Sequence, residues 1–183
     1  MKRPGKLDHV QDPKRDPTLD PVHPAAIHLM PGRLYFGRGA FLRTLLGSCI
    51  AITLWHPQRR WGGMCHYLLP SRQNRGTAAL DPRYGDEAIT LMLQAITRTG
   101  THAADYQAHL YGGADTMPDG FNLKFNVGER NIEQAWTLID RHGFQLQDVD
   151  VGDTMPRTVT LDLKTGQVRV KRSIASVPDD AKK

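Results

Sequence analysis

The sequence lacks the long apolar run that a transmembrane helix requires. Hydrophobic residues make up 39% of its 183 residues, and no stretch approaches the roughly 20 consecutive apolar residues that span a bilayer. Cysteine is also scarce, since Cys49 and Cys65 are the only two, which excludes a disulfide-rich secreted scaffold. No apolar signal-peptide segment follows the charged start MKRPGKLDHV. These absences predict a cytoplasmic protein without membrane insertion, whose cysteines are reduced thiols.

Acidic residues are missing from a long segment: positions 21–80 contain neither aspartate nor glutamate, but seven arginines. A segment of one charge sign over this length favours an acidic partner, unless it forms only a solvated surface. Nucleic acid is one such partner, but no aromatic-rich RNA-binding motif or recognition helix accompanies the arginines. We therefore expect no nucleic-acid binding.

Proline is concentrated at the start of the chain, where residues 1–24 contain five of the twelve prolines among charges of both signs. Such a segment buries little apolar surface, so residues 1–26 are predicted to form a disordered arm. Residues 27–173 are predicted to form one domain, and residues 174–183 a flexible tail.

Hydrophobic periodicity predicts strands on either side of two amphipathic helices. The strands are predicted at 34–36, Ile50–Trp55, 64–70, 107–111, 144–152, 157–166 and 167–172. The helices are predicted at 86–100 and 128–143, the second with Ile132, Ala135, Trp136 and Ile139 on its apolar stripe. This order predicts an α+β fold, a layered α/β sandwich of mostly antiparallel strands with two main helices packed outside.

Two cysteines and a histidine lie within 18 residues, from Cys49 to His66, and four interpretations are open. Structural zinc needs four ligands, usually in close pairs, whereas these cysteines are 16 positions apart. A disulfide is sterically possible but is disfavoured in a reducing compartment. A thiol nucleophile with a histidine base is the third interpretation, and ordinary core packing is the fourth. The expectation is that no metal or organic cofactor is bound.

Strand geometry distinguishes the two thiols if one of them is a nucleophile. Cys65 and His66 are adjacent on a predicted strand and therefore point to opposite faces. Cys65 is then expected to be buried packing, and Cys49 the nucleophile with His66 as its base. Gly47 and Ser48 place small side chains before Cys49, where backbone N–H groups can stabilise an oxyanion.

The motifs around these residues resemble a known family. The segments LLGSCIAITLWHP and GGMCHYLLP are similar to the LGSC and GG-x-x-H-x-x-LP segments of the CheD family, the chemoreceptor glutamine deamidases of bacterial chemotaxis. RYGDEAITLMLQAI is similar to that family's first helix, HLYGGADTM to its GGA loop, and VGDTMPRTVTLDLKTGQVRVKR to its closing hairpin. The resemblance extends over about residues 28–173.

This resemblance implies hydrolytic deamidation of glutamine side chains to glutamate on methyl-accepting chemotaxis receptors, and in some members hydrolysis of glutamyl methyl esters. The family's catalytic cysteine corresponds to Cys49 and its histidine to His66. A threonine before LGSC is the third member, for which Thr44 is the candidate. The reaction proceeds through a cysteine thiolate and a thioester, and requires no cofactor.

The resemblance also indicates which partners to expect. The cytoplasmic domains of the receptors are rich in glutamate, and Arg59 and Arg60 are candidates for steering that acidic surface toward Cys49. The alternative is a non-catalytic binding module that regulates the receptors or the phosphatase CheC, with which some members of the family pair.

Overall fold

The chain folds into two stacked β-sheets, with two helices against the outer side of one of them. Residues 25–74, 76–115 and 126–172 are described by a computed structural model. The strands are β1 (Ile27–His28), β2 (Arg33–Gly37), β3 (Phe41–Leu46), β4 (Ile50–Trp55), β5 (Gly62–Tyr67), β6 (Gln107–Gly112), β7 (Gln145–Val151), β8 (Arg157–Asp162) and β9 (Val168–Arg172). The helices are α1 (Gly85–Arg98) and α2 (Val127–His142), and Ala103–Asp105 form one 3₁₀ turn.

Sheet order separates the strands into two groups. The four-stranded sheet has the order β1-β3-β8-β9, and the five-stranded sheet has the order β2-β5-β4-β6-β7. All pairs are antiparallel except β1 with β3 and β6 with β7. The parallel pair β6–β7 needs a crossover connection, which α2 supplies. The predicted α+β class and its mostly antiparallel strands are confirmed.

The five-stranded sheet is buried on both faces, which explains the nearly continuous apolar sequence of its central strand. One cluster fills the space between this sheet and the helices, and includes Ile52, Leu54, Ile89, Met92 and Leu138. A second cluster fills the space between the two sheets, and includes Leu42, Leu46, Met64, Val159 and Leu161. Alternate residues of β4 enter one cluster or the other, so almost all of IAITLW is buried.

The buried stripe of α2 differs from the predicted one at Trp136, whose side chain is 42% exposed. That part of the prediction is wrong. The buried positions of the helix include Asn131, Ala135, Leu138 and Ile139, and Trp136 lies about 100° further round the helix than Ala135. A polar residue, Asn131, therefore occupies a core position.

Parts of the predicted domain organisation fall outside the described residues. These parts are the arm 1–26, apart from its last two residues, and the tail 174–183. Ala26, the last residue of the predicted arm, is buried. No helix among the described residues is long and apolar enough to cross a membrane.

Candidate active site

A buried hydrogen bond between Thr44 and His66 joins the two sheets. Thr44 lies on β3 of the four-stranded sheet and His66 on β5 of the five-stranded sheet, and both side chains are buried. The Thr44 hydroxyl oxygen is 2.7 Å from Nδ1 of His66 and 2.7 Å from the carbonyl oxygen of Leu29. Thr44 precedes Cys49 by five positions in the sequence.

The contacts of Thr44 determine which nitrogen of His66 holds the proton. A carbonyl oxygen only accepts, so the single hydroxyl proton of Thr44 is donated to Leu29. The hydroxyl oxygen then accepts a hydrogen bond from Nδ1–H of His66. Nε2 therefore keeps its lone pair in the neutral imidazole. This atom is buried and has no hydrogen-bond partner among the described residues, which is the state that a general base requires.

Burial disfavours the charged forms of both reactive groups. It lowers the pKa of His66 to about 4, with a smaller opposing effect from the backbone of Leu29. It also raises the pKa of the Cys49 thiol above its ordinary value. Both shifts favour the neutral forms at neutral pH, a thiol on Cys49 and an imidazole on His66.

Strand register places Cys49 on the same side of the sheet as His66. Ala51 of β4 is directly opposite His66 of β5, and Cys49 precedes Ala51 by two positions, which makes it a diagonal neighbour of His66. The half-buried Cys49 packs against the cluster between the sheets, the layer in which Thr44 meets His66. The register therefore places Cys49 and His66 on the same side of the five-stranded sheet, toward one end of the sandwich.

Cys65 lies on the opposite side of the same sheet. It is fully buried in the cluster that faces the helices, and burial raises its pKa to about 12. The expectation that Cys65 is a buried core residue is confirmed. Both thiols are free. The described residues contain no group of three or more His, Cys, Asp and Glu side chains suited to a metal ion.

Carbonyl groups of the loop before β4 are held from one side by backbone donors. The amide of Gly113 donates to the carbonyl of Cys49 at 2.8 Å, and the amide of Ala114 donates to that of Gly47 at 2.9 Å. Gly112 is placed so close that a Cβ atom would lie 2.1 Å from the Cys49 carbonyl oxygen, and its φ is +114°. Only glycine fits there.

Asn131 holds the same loop from the other side, and the sequence analysis did not identify it. Its side-chain Nδ2 donates to the carbonyl of Ser48 at 3.0 Å and to that of Leu68 at 2.8 Å. Ser48 precedes Cys49, and Leu68 follows β5, which carries His66. One buried amide therefore connects the segment that carries Cys49 with the segment that carries His66. The available signal was a polar residue at a core position of the second helix.

Amide N–H groups at the loop remain available to a ligand. Those of Gly47, Ser48 and Cys49 donate no hydrogen bond within the described part of the chain, although the carbonyls of all three accept one. Backbone donors beside a nucleophile are the usual components of an oxyanion hole.

The structure does not bring Arg59 and Arg60 to the reactive pair. They lie in the turn between β4 and β5, whereas Cys49 precedes the start of β4. Six strand residues separate the two ends, a distance of about 20 Å at the usual rise per residue. Direct contact of this turn with a side chain bound at Cys49 is excluded by that distance.

Comparisons with known proteins identify the family to which the chain is similar. The family model described as CheD chemotactic sensory transduction matches residues 68–172, a range that begins just after His66. Three curated relatives are named probable chemoreceptor glutamine deamidase CheD. The one from Chromobacterium violaceum is 44% identical over 87% of this chain and 84% of its own length. The one from Pseudomonas syringae pv. tomato is 43% identical over 87% and 96%. The one from Pseudomonas fluorescens is 46% identical over 82% and 86%.

Proposed function

Because the chain belongs to the CheD family, we propose that it is a chemoreceptor glutamine deamidase, a hydrolase that converts receptor glutamine side chains to glutamate. We further propose Cys49 as nucleophile, His66 as base and Thr44 as the residue that orients His66. The observation that carries this proposal is the free Nε2 of His66, whose Nδ1–H is fixed by Thr44.

The first half-reaction forms a thioester. Nε2 of His66 takes the thiol proton of Cys49 while the sulfur attacks the amide carbon of the glutamine. Amide N–H groups at Gly47 and Ser48 stabilise the oxyanion of the tetrahedral intermediate. As the C–N bond breaks, the imidazolium returns the proton to the departing nitrogen, and ammonia leaves.

The second half-reaction regenerates the enzyme. His66 takes a proton from water, and the resulting hydroxide attacks the thioester carbon. When the C–S bond breaks, the sulfur of Cys49 regains its proton and glutamate is released. The same two steps hydrolyse a glutamyl methyl ester, with methanol leaving in place of ammonia. Neither step uses a metal or an organic cofactor.

A neutral resting pair implies that Cys49 is activated only when the substrate is bound. Proton transfer from Cys49 to His66 is unfavourable while both groups are buried and no substrate is present. A bound glutamine changes this balance, since the developing oxyanion is stabilised by the loop amides as the imidazolium forms. Deprotonation is therefore coupled to attack.

The substrate proposal determines the partners and the location. The cytoplasmic domains of methyl-accepting chemotaxis receptors are the proposed partners, which places the protein in the cytoplasm. A non-catalytic module that regulates the receptors or CheC is the alternative, and the Cys49 and His66 pair is the feature that favours an enzyme.

Mass spectrometry of a receptor cytoplasmic fragment tests the proposal, since deamidation replaces NH₂ by OH and changes the mass of the glutamine. We expect the parent and the Cys65→Ala variant to deamidate the fragment, whereas Cys49→Ala and His66→Ala do not. The Cys65→Ala variant is the matched control because it removes the other thiol. If the parent fails on its cognate receptors, the binding module replaces the enzyme. Full activity of Cys49→Ala would refute the thiol mechanism.

A further inference from the structure

The outer face of the four-stranded sheet is not covered by either helix. Along β3, the side chains of Leu42, Thr44 and Leu46 are buried between the sheets. Because strand residues alternate, Arg43 and Leu45 point to the outer face. Leu45 is 61% exposed there, the largest exposure among the large apolar side chains described.

Cross-strand register arranges the outer face in rows. One row runs across four strands through His28, Arg43, Thr160 and Arg169. The next row, closer to the candidate active site, contains Leu45, Thr158 and Lys171. Arg43 and Leu45 are the two neighbours of Thr44 in the sequence and lie on the opposite face of the same strand.

The charge of this face is predominantly positive. Arg43, Arg169 and Lys171 contribute cations, and neither Arg43 nor Lys171 forms an ion pair with another described residue. Arg169 donates to the neutral side chain of Gln167. Among the paired residues of β3, β8 and β9, only Asp162 places a carboxylate on this face. It lies opposite Phe41, at the end of the sheet away from the candidate active site.

Arg172, the next residue of β9 after Lys171, provides a comparison. Its guanidinium contacts the carboxylates of Asp150 and Asp153 at 2.7 Å each. The cation that has carboxylates within reach is therefore paired, whereas Arg43 and Lys171 lie in rows with threonines and Leu45. A cationic face with so few internal carboxylates is complementary to an acidic surface.

We propose that this face, defined by Arg43, Leu45, Arg169 and Lys171, docks the acidic surface of the receptor that carries the target glutamine. The inference rests on the proposed function and names the surface that serves it. Deamidation turns a neutral amide into a carboxylate, so a substrate modified at several positions becomes more acidic at this surface. Two copies of the face repel each other, which argues against a second copy of the chain as its occupant.

Three double variants test the proposal. Each replaces two positive residues with glutamate, so each changes the net charge from +5 to +1. The test pair is Arg169→Glu with Lys171→Glu. The matched control is Arg98→Glu with Arg141→Glu, two exposed positions on the helical layer. The third pair is Arg59→Glu with Arg60→Glu, in the distant turn. Circular dichroism confirms that each variant is folded.

For the test pair we expect KM for the receptor fragment to rise about tenfold or more at low salt, because like charges then meet across the interface. The increase should diminish at high salt, and kcat should stay at the parent value. A short neutral glutamine peptide, which lacks the acidic surface, should be deamidated equally by all variants. The control pair should leave the KM for the receptor fragment near the parent value.

The outcomes separate failure of this inference from failure of the proposed function. An inactive parent enzyme overturns both. An active parent with an unchanged KM for the test pair overturns the docking face alone, as does an equal effect of all three pairs. A larger effect of Arg59→Glu with Arg60→Glu would assign docking to the turn instead. Loss of RNA or DNA binding in the test pair, without a change in KM, would assign the face to nucleic acid.

Discussion

The neutral state of His66 has a consequence for stability that acid titration measures. The perturbation is a fall in pH from 6.5 to 4 in the parent protein and in a His66→Gln variant. In the unfolded chain the imidazole takes a proton below its ordinary pKa of 6.5, whereas the folded protein holds that pKa at about 4. Protons then bind to the unfolded state in preference, so the free energy of unfolding falls as the pH falls through this window.

The magnitude follows from the two pKa values. A displacement from 6.5 to about 4 is equivalent to about 3 kcal/mol at 1.36 kcal/mol for each pH unit. The contribution of neutral His66 is fully present above pH 6.5 and is lost progressively down to pH 4. Below that value the folded state is protonated too, and no further loss comes from this residue.

Urea denaturation of both proteins at several pH values provides the assay. The difference in unfolding free energy between the parent and His66→Gln should change by about 3 kcal/mol across the window. Other histidines with lowered pKa, His109 and His142, titrate in both proteins and cancel in the difference. Parallel curves, or a His66 pKa near 6.5 by NMR titration, would refute the reasoning.

Two further substitutions test the parts that hold the reactive pair. Thr44→Val removes the hydroxyl that orients His66, so kcat should fall about 10- to 100-fold, the equivalent of about 1–3 kcal/mol. Thr44→Ser keeps a hydroxyl and should retain the parent kcat. Equal losses of kcat in both variants would contradict an orienting role. Asn131→Asp replaces a donor by an acceptor opposite two carbonyls, so kcat should fall at least about tenfold with a smaller change in KM. Asn74→Asp, at an exposed position, is its control. An unchanged kcat for Asn131→Asp would show that the hydrogen bonds of Asn131 to Ser48 and Leu68 do not position the site.

Local sequence patterns were sufficient to predict most elements of the fold. Strands β4 and β5 were predicted from their β-branched and apolar runs, and both helices from their apolar periodicity. Strand β3 was missed, although FLRTLL alternates through Leu42, Thr44 and Leu46, because its partners β1 and β8 are distant in sequence. The division into two sheets depends on such non-local pairings, which no local pattern specifies.

The candidate site also combines features that local sequence patterns predict with features that depend on non-local contacts. Strand alternation alone predicted that Cys65 and His66 face opposite sides, since that is a local property of a strand. The contact between Thr44 and His66 crosses from one sheet to the other and was available only through the family resemblance. Asn131 was not identified because its hydrogen bonds to Ser48 and Leu68 connect segments more than 60 positions away.

The placement of the two cysteines on opposite sides of one sheet determines how the protein responds to oxidants. Cys49 is partly buried whereas Cys65 is fully buried, so we expect peroxide to react first with Cys49 and to form a sulfenic acid. Many thiol proteins rescue that species by forming an internal disulfide, but the only other cysteine in the chain, Cys65, is buried on the far side of the sheet. Recovery of an oxidised molecule therefore depends on a thiol supplied from solution, so its activity after oxidative stress follows the cell's pool of small reducing thiols.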